Sequence, residues 1–208
     1  MSRFLRAAAP AAFLLAPLVA SIAPAPAAAA ERAPAPGASA AIAATLASGY
    51  AGACTAGEPL PIEALEITAW DMAWTPSWAT EPQTATLYRA LCTRGAYNSV
   101  HAFFLDQGYG LEPLAFAEPN LDVSYADEEQ TAVDRIAVDG FSAKPLLVNA
   151  EFDPQARAIT TYSAWRGLGD AYASAVYAFE EGGFVLASFE VDPTYDGAQD
   201  ATLVFERK

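Results

Sequence analysis

Few side chains in this sequence could do chemistry, and their spacing limits what each could do. His101 is the sole imidazole. In the run YNSVHAFFLD (Tyr97 to Asp106), strand alternation places it on one face with Tyr97, Ser99, Phe103 and Leu105. A histidine near a serine invites a reading as base and nucleophile. Same-face neighbours on a strand stand roughly 6.5 to 7 Å apart, beyond hydrogen-bond reach, and no G-x-S-x-G elbow occurs. His101 is therefore read as structural or superficial. The segment RGLGD (Arg166 to Asp170) begins like a dinucleotide loop, but it lacks the third glycine and runs into an aromatic β-pattern instead of a helix. Its glycines fit a positive φ or a close backbone approach, with Asp170 capping the turn. The sharper reading makes Arg166 and Asp170 a polar pair on a glycine-hinged binding loop.

Three further groups carry possible chemistry. Trp70, Trp74 and Trp78 recur every four residues in WDMAWTPSW, a spacing that lines one face of a helix or of an extended chain. Exposed, such a row stacks on sugar rings; buried, it roofs the core, which the large apolar area of each indole favours. Asp127, Glu128 and Glu129 could gather calcium but lack the D-x-[DN]-x-[DN]-G spacing, so a solvated loop is expected there and no metal site or cofactor is assigned. Asp170 and Glu151 could serve a carboxylate-dependent hydrolase if they faced each other across a cleft at about 5 to 9.5 Å.

The elements that must position these groups read as short strands. Ile62 to Trp70, Thr84 to Cys92, Tyr97 to Asp106, Leu111 to Ala117, Arg135 to Val138, Leu146 to Phe152, Ala158 to Trp165, Tyr172 to Glu180, Phe184 to Val191 and Ala201 to Glu206 carry strand patterns. Asp153-Pro154 and Gly182-Gly183 supply turns, and the acidic piece Glu118 to Asp134 is expected as a surface loop. Short connections between neighbours predict an antiparallel β-sandwich or partly open barrel. A short N-terminal helix is expected over Ala40 to Ser48, where Ile42 and Leu46 lie four apart and Gly49 follows.

Met1 to Ala30 carries Arg3 and Arg6, an apolar run from Ala7 to Ala20 and an alanine tract, the pattern of a secretory signal peptide cleaved after Ala30. Pro10 and Pro17 interrupt the run, and no other apolar segment of about 18 residues follows, so no stable membrane insertion is expected after cleavage. Residues 31–39 read as a disordered Ala/Pro linker and residues 40–208 as one β-rich domain. The formal net charge is -14, which disfavours nucleic acid and anionic lipid. Export puts Cys54 and Cys92 in an oxidising compartment, so a disulfide between them is expected. A metal or nucleophilic role fits less well, since neither cysteine sits in a C-x-x-C motif.

LYRALCTRGAYNSV (Leu87 to Val100), PLLVNAEFD (Pro145 to Asp153), RGLGD and YAFEEGGFVLASFE (Tyr177 to Glu190) together resemble the bacterial exported proteins called domain of unknown function 1176. The likeness spans roughly residues 54 to 206 and carries no established activity. Its pattern implies that Cys92 keeps its place before GAYN, with Cys54 as natural partner. It also implies a second cysteine pair, at Ala171-Tyr172 and at Thr194-Tyr195, which this chain lacks. The expected product is periplasmic or secreted, a non-catalytic binding or structural module whose partner is an envelope protein or glycan. A hydrolase of envelope polymers and an inhibitor or partner subunit of an envelope enzyme are the alternatives.

Overall fold

The computed structural model describes residues 31–54 and 65–208. The expected signal peptide, 1–30, and the start of the expected 62–70 strand lie outside those residues. The described chain is mainly β, in antiparallel sheets that do not close into a barrel. One sheet, A, has the order β1 (Glu31–Arg32), β2 (Ile67–Trp74), β3 (Gln83–Arg94), β4 (Ser99–Asp106), β5 (Leu111–Pro113), and β8 (Leu146–Val148) also pairs with β4. A two-stranded sheet joins β6 (Phe116–Tyr125) to β7 (Val133–Lys144). The third sheet, C, has the order β13 (Thr202–Glu206), β12 (Gly183–Asp192), β11 (Tyr172–Glu180), β10 (Ala158–Ala164), β9 (Glu151–Asp153).

Alternation along the strands produces two cores. One row of sheet A (Trp70, Met72, Leu87, Phe103, Leu105) meets Phe152, Ile159, Tyr177, Phe179, Phe189 and Val191 of sheet C, which makes the sandwich. The opposite row of sheet A is small, with Ala69, Ala90 and Ala102. These alanines give room for helix α1 (Pro36–Gly49) to set Ile42 and Leu46 against Tyr88 and Phe104. A second short helix, α2 (Ala51–Cys54), carries Cys54 to a disulfide with Cys92 of β3, and the expected pairing is present. With the cysteines 38 positions apart in sequence, the bond contributes roughly 3 to 4 kcal/mol on the chain-entropy account.

At the start of the expected linker, Glu31 and Arg32 pair with Trp70 and Ala69 of β2, and Arg32 forks onto the Asp71 carboxylate through Nε and Nη2, each at 2.8 Å. Four expectations need correction. The helix begins at Pro36, whose fixed φ suits a first helical turn, four residues earlier than the alanine pattern suggested. Glu118 to Asp134 is mostly strand, since β6 pairs with β7 from Phe116↔Lys144 to Tyr125↔Val133. Asp127 caps the intervening turn by accepting from the backbone N–H and hydroxyl of Thr131, both at 2.8 Å. The hairpin turn after β11 is Glu181-Gly182, both with positive φ, and Gly183 already belongs to β12. Gly182 is also required for space, because a Cβ there would come within 3.0 Å of the Trp74 ring.

The fourth correction shows how the sheets are joined. Leu146 to Phe152 is not one strand: β8 lies in sheet A, β9 lies in sheet C, and Asn149 between them has φ +42°. Asparagine tolerates that conformation better than most side chains. Its Oδ1 accepts from the Ser99 N–H at 2.7 Å, and its Nδ2 donates to Asn98 Oδ1 at 2.9 Å and to the Tyr162 carbonyl at 2.8 Å. Asn98 in turn donates to the Ala164 carbonyl at 2.8 Å. Since β9 pairs with β10 only over Ala158 to Thr160, these two amides satisfy the edge of β10 where a strand partner has run out. Asn149→Gly keeps the backbone but loses the bonds and is expected to lower unfolding free energy by about 2 kcal/mol. Asn149→Ala adds backbone strain and is expected to cost about 1 kcal/mol more. Chemical denaturation of the three proteins checks that order.

Candidate functional site

The RGLGD loop connects β10 to β11 and is packed from inside. Gly169 has φ +75°, and its carbonyl accepts from the Tyr162 hydroxyl at 2.7 Å. Gly167 lies against Tyr97, where a Cβ would be 3.5 Å from the ring. Asp170 is 2% exposed. Both of its oxygens face the Arg166 guanidinium, at 2.7 Å for Nε, and one also accepts the Gly197 N–H at 2.9 Å. The guanidinium covers the Tyr195 ring, 5.1 Å from its centroid. Asp192, also buried, accepts from the Thr194 N–H and hydroxyl and from the Asp200 N–H. Asp170 therefore ties the loop after β10 to the loop after β12, and Asp192 braces the second loop internally. These are the two loops where the resemblance implies a cysteine pair, and polar contacts now join them.

Electrostatics supports a structural role for Asp170. The Arg166 guanidinium, with backbone N–H donors at Ala171 and Gly197, holds its carboxyl well below the usual carboxylate range, against the opposing effect of burial. Such a group stays ionised and cannot act as a general acid. Glu151 sits exposed on the edge strand β9, outside this network.

The tryptophans are divided by the fold. Trp70 is in the sandwich core, edge-on to Phe152 at 5.2 Å and under the Arg89 guanidinium at 5.5 Å. Trp74 is half-buried at the seam of the two sheets, 5.1 Å from the Phe179 ring. Thr75-Pro76 ends the strand, so Trp78 falls on a turn, 77% exposed. That turn is anchored by the Ser77 N–H, which donates to both Glu181 carboxylate oxygens at 3.1 and 3.0 Å. The spacing of four therefore gives two inward residues and one outward residue, not a continuous surface.

His101 shares its face with Phe103 and Leu105, as alternation requires. Its Nδ1 is buried without a hydrogen-bond partner. Burial, then the charges of Arg89 and Arg94, push the imidazole down to about 4.

An open groove of about 600 Å³ lies between β6 and sheet C. Its wall is β6, which contributes Glu118, Leu121, Val123 and Tyr125; the bulges of the hairpin lie on β7, at Asp139 and Asp134, so Leu121, Val123 and Tyr125 share one face of β6 by simple alternation. Ser163, Ala173 and Phe189 of sheet C form the floor, and Trp165, 36% exposed, stands beside the RGLGD loop. The Tyr125 hydroxyl donates to the Pro193 carbonyl at 3.0 Å, fixing the end of the wall to the loop after β12. None of these lining residues is a candidate site residue in the sequence, where Glu118 and Trp165 enter only as limits of an expected loop and an expected strand. Pro119 and the acids Glu118 and Asp122 give β6 the composition of a loop. Trp165, next to a loop already singled out, was the available signal.

An open antiparallel β-sandwich crossed by a β-hairpin, with an aromatic-edged groove between the two, is the class of scaffold that the described residues define. The chain belongs to the family described as protein of unknown function (DUF1176), which matches residues 19–204. No curated protein and no solved structure matches it.

Asp170→Asn is expected to lower the melting temperature by about 5 °C or more, because a buried partner of Arg166 loses its charge; an unchanged transition would show that the pair is not structural. The depressed carboxyl value means that this stabilisation is complete above about pH 4 and fades below it. His101 acts in a different window. Between about pH 6.5 and 4 the unfolded chain takes up a proton that the folded imidazole refuses, so stability falls as pH drops through that range. The expected loss is on the order of 2 kcal/mol, discounted for the part of the ring that solvent reaches. Denaturation of wild type and His101→Gln at pH 7 and 4.5 measures it as the difference between the two proteins.

Proposed function

We propose that this protein is an exported, non-catalytic binding module of the cell envelope and that the groove between β6 and sheet C is its binding site. The observation that carries this reading is a concave groove that sets Leu121, Val123, Ala173 and Phe189 beside the polar Glu118, Asn120 and Ser163, with an exposed indole on a surface whose supporting loops are pinned. Concave sites combine apolar contact with a few placed polar groups that orient the ligand. Export is supported by the signal-like segment 1–30 and by the disulfide, which an oxidising compartment sustains. The non-catalytic part is supported by the use of Asp170 in an ion pair and by a His101 Nδ1 that is buried without a hydrogen-bond partner. Trp78 is the competing surface, since its exposed indole sits on an anchored turn and would suit a sugar ring.

The test begins with protein recovered from the periplasmic or culture fraction, whose intact mass should place the first residue at Glu31. Wild type, Trp165→Ala and Trp78→Ala, each immobilised, are exposed to envelope extract and to purified peptidoglycan. Trp165→Ala is expected to reduce retention at least tenfold with the melting temperature unchanged, and Trp78→Ala to leave it within twofold. The reverse pattern would move the site to the Trp78 turn.

A further inference from the structure

We infer that the occupant of this groove is an extended polypeptide segment, neutral or positively charged, that adds to the open edge of β6 as a further strand; this rests on the groove being the binding site. One edge of β6 is hydrogen-bonded to β7, and among the described residues no strand pairs with the other. The unpaired edge borders the groove, because the lining draws on β6 and sheet C and not on β7. Backbone N–H and C=O groups along such an edge are satisfied by water or by another strand. An extended peptide repeats its donors and acceptors at the strand's own spacing, and its alternate side chains would point the same way as those of β6. One row would therefore fall on Ala173 and Phe189, beside Leu121 and Val123. Pro119 has no N–H and limits the pairing edge at one end, leaving Asn120 to Tyr125, roughly 20 Å of strand.

Charge selects among peptides. Among the described residues Glu118 is the single charged one lining the groove, and the chain as a whole carries -14. A cationic segment is steered toward such a surface and an acidic one is repelled. The same argument opposes a second copy of this chain, since two β6 strands side by side would juxtapose Glu118 and Asp122 of two acidic molecules.

The probes are a random dodecapeptide library and, in parallel, a tetrasaccharide of N-acetylglucosamine, both offered to the full exported chain. Selected peptides are expected to alternate apolar residues with Lys or Arg. Methylating the backbone nitrogens of one alternate row is expected to weaken binding at least tenfold, and methylating the other row less than twofold. Trp165→Ala is expected to weaken the same peptides. Peptide binding that depends on Trp165 but is indifferent to the methylated row would overturn strand addition and leave the groove in place. Trp165-dependent binding of the tetrasaccharide, with no peptide selected, would overturn the peptide occupant and keep the groove. Binding of either probe that ignores Trp165, or no binding of either, overturns the inference; the first of these also removes the groove as the site.

Discussion

The structure depends on a single crossing. Between β8 and β9 the chain leaves sheet A and enters sheet C, and at the crossing point Asn149 takes a left-handed backbone and spends its side-chain amide on both sheets at once. A sandwich held only by apolar contact can slide, because burial is proportional to area and indifferent to direction. Hydrogen bonds from one side chain to Ser99 on β4 and Tyr162 on β10 are directional, and they fix the register between the layers. At the opposite end the tip of the β11–β12 hairpin performs a similar task, with Gly182 against Trp74 and its carbonyl accepting from Gln107 at 2.9 Å. Between these two fastenings the aromatic core is enclosed.

The consequences reach the groove through sheet C. Its floor is made of residues on β10, β11 and β12, and the loops leaving those strands are joined by Asp170, Arg166, Gly197 and Tyr195. A rigid floor and a wall with a free edge are the conditions for binding an extended segment without first ordering the site, which lowers the entropic cost of association. The loop that looks most like a site in the sequence thus supports the surface beside it.

Much of the fold was legible in the residues, and what was not has identifiable causes. Tyr172 to Glu180 reads as a strand with the limits it has in the structure, since its apolar residues alternate cleanly and glycines bound it. The disulfide followed from compartment and count. β6 was lost because a proline and three acids (Glu118, Asp122 and the turn's Asp127) disguise a strand as a loop. The split of Leu146 to Phe152 was lost because both halves are apolar and only the asparagine between them marks a change of sheet. At the tryptophans, a period of four says which residues share a face only while the strand continues, and Pro76 ends it before Trp78. The groove itself lies between elements distant in sequence, so no local pattern could announce it.

Residue-resolved amide exchange in the free protein tests the role of the crossing most directly. The Ser99 N–H, whose acceptor is the Asn149 side chain, should exchange only with global unfolding, as slowly as the core amides of β3 and β11. If it exchanges through local opening, at the pace of the loop amides near Gly108, then the two sheets are not fastened at Asn149 and the account of the scaffold is wrong.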